Sequence, residues 1–161
     1  GSGVNVVVVT HQMGPQGREL LEENETKIRA LGAKIVTCTH AFEGVGSSLR
    51  RFPPRPPPPQ VPGPRPPVPE LFFPAYVPPT GELIASVLRL FSSGMKVAVE
   101  ITLMASDAGA IPIGEKVIAV AGQHGGADTA IIIRSENTGN VFDSDVQEII
   151  SKPISKEWPR V

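Results

Sequence analysis

The chain has a single cysteine, Cys38, few aromatic residues (5%) and no surplus of either charge, the net balance being -1. One cysteine cannot close an internal disulfide, so a reducing, cytoplasmic setting is expected. A near-neutral balance lacks the basic excess that a dedicated nucleic-acid binder needs to neutralise phosphates. No apolar run reaches the roughly 18 residues of a membrane span. Val4–Val9 is apolar, but no basic region precedes it and no small-residue cleavage site follows, so it does not read as a secretory signal. Catalytic signatures are missing as well. Gly122-Gln123-His124-Gly125-Gly126 has neither dinucleotide-fingerprint spacing nor a P-loop lysine, and no Gly-x-Ser-x-Gly elbow occurs. His11, His40 and His124 form no His-x-His pair, so no metal site is expected. Cys38 sits in Ile35-Val36-Thr37-Cys38-Thr39 and reads as a strand residue, not as a nucleophile.

What is present suits one globular domain. The 161 residues are 40% hydrophobic, enough for a core. Fourteen of the 18 prolines fall between Pro53 and Pro79. Residues 1–52 and 80–161 therefore read as two parts of one α/β domain, separated by a low-complexity stretch at 53–79. Proline fixes φ and offers no N–H, so an extended surface excursion is expected there. Leu71-Phe72-Phe73 and Tyr76 would pin it to the domain or to a neighbouring subunit. Arg51-Phe52-Pro53-Pro54-Arg55-Pro56-Pro57 fits a motif read by aromatic grooves, and is taken as incidental within a proline run.

Val4–Thr10 is β-branched with almost no alternation, the pattern of a strand covered on both faces. Arg18–Leu31 is a helix candidate ended by Gly32, and Ala33–Thr39 a second strand, so a βαβ unit with a right-handed crossover is expected. Gly81–Phe91 is helical, with Leu83, Ile84, Val87, Leu88 and Phe91 on one face and Thr80 as its cap. Met95–Ala108 alternates like a strand at Val97, Val99, Ile101 and Leu103. Met104–Gly109 is nevertheless poor strand material, and Gly109 ends a helix well, so a helix is predicted. Lys116–Ala121, Thr129–Ile133 and Val146–Ser151 read as strands.

Five segments in this order carry a family likeness: Val8–His11, Gly94–Ile101, Met104–Gly109, Gly125–Ala130 and Glu148–Pro153. They resemble a family of small prokaryotic proteins similar to the C-terminal, effector-binding domain of pyruvate kinase. The resemblance implies a three-layer α/β/α sandwich around a mixed sheet of about five strands, which the βαβ unit leads one to expect as mainly parallel. It implies a phosphorylated small molecule as ligand, with flavin mononucleotide (FMN) as one possibility. It also implies a further strand–helix unit before Val4, so that either a fragment or a unit supplied by another chain is expected. Where the family has a short Gly-containing link, this chain has its proline tract, whether natural, engineered or frame-shifted.

Ligands of open α/β sheets sit beyond the C-terminal ends of parallel strands. That rule selects Thr10, His11 and Gly14 after the first strand, and His40 after the second. Gly122, His124, Gly125 and Gly126 follow a later strand, with Asp128 and Thr129 closing that turn. An imidazole can hydrogen-bond a phosphate or exchange a proton near neutral pH. Ser47, Ser48, Arg50 and Arg51 combine hydroxyls with guanidinium forks and form the best anion-binding candidate. Glu100 and Asp107 share a helical face two turns apart. Burying Glu100 among Val97, Val99, Ile101 and Met104 demands a partner, for which Lys96, Arg89 and a ligand hydroxyl are the candidates. The pair can act as acid and base, or simply hold structure by hydrogen bonds.

Three functions follow as expectations. The first is a small-molecule-binding or regulatory domain for a phosphorylated metabolite or flavin nucleotide, in a homo-oligomer. The second is an enzyme using His11, His40, Glu100 and Asp107 for proton transfer. The third is an assembly protein making subunit contacts through its proline-rich segment.

Overall fold

The β-branched runs do pair. In a computed structural model, which describes residues 3–11, 20–42, 79–122 and 126–154, β1 (Val7–His11) lies parallel to β2 (Lys34–Cys38). Register runs from Val7 opposite Lys34 to His11 opposite Cys38. Helix α1 (Glu22–Ala30) connects them. It buries no residue, and exposed Glu23–Lys27 and Glu25–Arg29 pairs lace its outer surface. Gly32, at φ 83°, ends it: Gly32 N–H donates to Arg29 O and Ala33 N–H to Ile28 O, the paired bonds of a Schellman stop.

Helix α2 (Thr80–Leu88) and the 15-residue α3 (Ser93–Asp107) follow. Pro79, not Thr80, is the residue before α2, and its carbonyl takes the N–H groups of Glu82 and Leu83. The single apolar face expected for α2 is divided. Ala85 is buried with Ile84 and Leu88 beside it, whereas Leu83, Val87 and Phe91 stand about half exposed. Helix α3 is buried along most of its length. Ser92 caps it by accepting from Met95 N–H, and the predicted stop at Gly109, φ 64°, makes the same paired bonds as Gly32.

The second half of the chain forms β3 (Lys116–Ala121), β4 (Thr129–Arg134), a 3-10 segment (Thr138–Asp143) and β5 (Asp145–Ser151). The expectation of one mainly parallel sheet is corrected here. The described residues hold five strands, but only β1–β2 is parallel; β3–β4–β5 is an antiparallel sheet of its own. Connection length gives the reason. A parallel return needs a crossover of about a dozen residues or more, and neither the 122–128 turn nor the 135–144 link provides one. The fold is thus mixed α/β, with a small parallel and a larger antiparallel sheet.

Both sheets contact α3. The core joins Met95, Ala98, Val99 and Leu103 of α3 to Ala119, Ala121, Ile131 and Ile133 of β3 and β4, with Phe42 and Ala85 at its margin. Each of the Phe, Met, Val, Leu and Ile side chains among them stabilises by about 1.5–3 kcal/mol when removed from water. No helix among the described residues is long and apolar enough to cross a membrane.

Candidate functional site

Helical spacing puts Lys96 and Glu100 one turn apart on α3. Both are buried, with side-chain exposures of 4% and 0%. Isolated, either charge would be prohibitive there. Lys96 Nζ donates to Glu100 Oε2 at 2.6 Å, which fulfils the pairing expected of Lys96. The turn after β2 supplies the other donors. His40 Nδ1 donates to Oε2 at 2.8 Å, and the Phe42 backbone N–H to Oε1 at 3.1 Å. One carboxylate thus holds a cation, an imidazole and a backbone amide.

Burial by itself would raise the Glu100 carboxyl. The hydrogen bonds from His40 and Lys96, and their charges, outweigh it and hold the carboxyl below its ordinary value. Glu100 is therefore an anion, and an anion only accepts. His40 Nδ1 must therefore carry the hydrogen of their bond. The His40 side chain keeps 23% of its surface in solvent, so the ring is anchored to a buried anion without being fully buried itself.

A second polar cluster closes the start of α3. Ser92 Oγ lies 2.9 Å from Thr129 Oγ1, which donates to Asp128 Oδ1 at 2.6 Å. Gly94 makes the approach possible, since a Cβ there would sit 2.3 Å from Thr129 Oγ1 and 2.5 Å from Asp128 Oδ1. A carboxylate therefore already stands at this helix N-terminus, where negative charge is favoured. Asp128 and Thr129 were expected at a turn, and here they fasten that turn to α3. Gly122 is tight for the same kind of reason: its missing Cβ would meet Gly126 O at 1.9 Å.

The trailing turns of β2 and β3 both reach the N-terminal half of α3, within about 9 Å of each other along the helix axis. Of the selected residues, His40 and Glu100 are in direct contact. Thr10 and Thr37 share a hydrogen bond of 2.8 Å across β1 and β2. His11 ends β1 opposite Cys38, and its side chain lies outside the described residues. So do Gly14, Ser47, Ser48, Arg50, Arg51, His124 and Gly125.

Asp107 has separate work. Its carboxylate accepts from Thr138 N–H at 3.0 Å and Thr138 Oγ1 at 2.8 Å, and so caps the 3-10 segment. Burial, and then the Asp107 charge, push the Cys38 thiol above its ordinary value, which keeps it protonated and unreactive. Among the described residues no group of His, Cys, Asp and Glu could hold a metal ion.

Sequence reasoning missed the Phe42 amide, Ser92 and Gly94. A backbone donor has no side-chain signature. Ser92-Ser93-Gly94 did carry one, a hydroxyl residue three positions before Met95 at a helix start. Compared with models of known protein families, the chain matches none.

Proposed function

We propose that this domain binds a phosphorylated small molecule beyond the ends of β1 and β2, with His40 as its fixed contact. The observation that carries this is the His40–Glu100 bond: a buried anion orients an imidazole that is itself only partly buried. An oriented donor costs little entropy when a ligand arrives. With Nδ1 carrying the hydrogen of the neutral ring, a phosphate oxygen would accept from Nε2–H of the protonated ring, a charge-assisted bond. Thr10 and Thr37 offer exposed hydroxyls on the same strand pair. FMN is the ligand suggested by the likeness to the pyruvate kinase C-terminal domain, and a homo-oligomer belongs to the same proposal. The three-layer sandwich would add a helix layer over the outward side of β3, where Ile118 and Val120 are 66% and 52% exposed.

The same bond favours a second reading, proton transfer. A base held by a third group is how catalytic histidines are kept in one tautomer. His40 Nε2 would take or give the proton, and Glu100 would orient the ring. Calorimetric titration with inorganic phosphate and with FMN tests binding. His40→Ala should weaken phosphate binding about ten- to a hundred-fold, the worth of a charged hydrogen bond. Wild-type protein that binds neither compound, or a His40→Ala variant that binds as well as wild type, would refute the proposal.

A further inference from the structure

The Phe42 amide that joins His40 on Glu100 belongs to a turn pressed against another element. Gly81, in the first turn of α2, faces the Phe42 backbone. A Cβ on Gly81 would lie 2.5 Å from Phe42 O and 3.2 Å from both Phe42 C and Phe42 Cα. The obstructing atoms are backbone, so no side-chain rotation relieves the contact. The 40–42 turn is therefore held between two helices: α2 abuts the Phe42 carbonyl side, and Glu100 of α3 draws in the Phe42 N–H and the His40 ring. His40 and Phe42 grip opposite oxygens of the same carboxylate, so a slide of the turn changes both bonds together.

We propose that Gly81 is a positioning residue for His40, acting through the Phe42 backbone and the Glu100 carboxylate. The proposal rests on the His40 site described above and extends it to α2. It assigns Gly81 a role set by space. Helix propensity would favour alanine at this position, and only the proximity of Phe42 forbids it. Helix α2 thereby becomes the element whose seating fixes the direction of the His40 ring.

The test uses the full chain with ¹⁵N-labelled histidine. Nitrogen–proton correlation in buffer alkaline enough to keep the ring neutral reports the His40 tautomer, and titration with inorganic phosphate in mildly acidic buffer, where the ring carries both hydrogens, reports affinity. Gly81→Ala should stay helical by circular dichroism, lose the Nδ1–H preference of His40 and bind phosphate about tenfold more weakly. Ser86→Ala, an exposed change on the same helix, should alter neither. A folded Gly81→Ala protein with wild-type tautomer and affinity would overturn the proposal. Should Gly81→Ala fail to fold, Pro79→Gly loosens the same first turn without adding an atom. It must then shift the tautomer in the same direction by less, and an unmoved His40 would also overturn it. A wild-type protein that binds no phosphate, but whose tautomer responds to Gly81→Ala, would uphold the positioning role while removing the phosphate ligand.

Discussion

The two sheets lean on one helix and use it differently. Toward β3 and β4, α3 contributes Met95, Ala98, Val99 and Leu103 to a core closed by Ile131 and Ile133. Toward the turn after β2, the same helix offers Lys96 and Glu100, and the contact is a set of hydrogen bonds to one buried anion. The antiparallel half is held mostly by area, with the Ser92–Thr129 bond at its edge, whereas the turn after β2 adds charge and direction to the burial of Phe42. Area tolerates small shifts because it has no preferred angle, whereas a carboxylate with three donors does not. Chemistry is thus expected where the parallel pair ends, and the antiparallel sheet is its support.

Breaking the charged contact should cost the most. Glu100→Ala leaves Lys96 buried without its anion and should lose about 3–5 kcal/mol in urea unfolding, with the His40 tautomer lost as well. Ile131→Ala should cost about 2–5 kcal/mol as a cavity in the core, yet leave the His40 tautomer as in wild type. If Ile131→Ala scrambled the tautomer, the division between the two halves would fail.

Acid should sharpen the contrast. The folded-state pKa of Glu100 lies below its unfolded value, near the ordinary 4.5. Its contribution is therefore present above that pH and is lost as pH falls below 4.5 toward the folded value. Thermal unfolding across this range should show an acid loss in wild type that is smaller in Glu100→Gln, while Ile131→Ala keeps the wild-type slope. The smallest effect is expected at Cys38. Its thiol is held above 9.0, so alkylation by iodoacetamide should stay slow up to that pH, and Cys38→Ala should change stability by only about 1 kcal/mol.

Local features were legible in the sequence where local physics decides them. Gly32 and Gly109 marked two helix ends because a left-handed residue is needed there. Met104–Gly109 turned an alternating segment into a helix, and Glu100 among apolar neighbours demanded Lys96. Strand direction was legible too, since the link between β3 and β4 is short, but the parallel arrangement of the first βαβ unit was extended to the whole sheet. The partition of α2 was not legible, because Leu83, Val87 and Leu88 are equally apolar and only tertiary packing selects which is covered. Nor was the separation of Glu100 from Asp107: equal spacing says nothing of the Thr138 amide that Asp107 caps. The grip of His40 and Phe42 on Glu100 spans about 60 residues of sequence, beyond any local pattern.

The most direct test of the central claim is the nitrogen–proton correlation spectrum of the neutral His40 ring in the wild-type chain. The Glu100 anchor predicts a protonated Nδ1 and an unprotonated Nε2. A hydrogen on Nε2 with a bare Nδ1 would contradict it, because an ionised carboxylate has no proton to give in that bond.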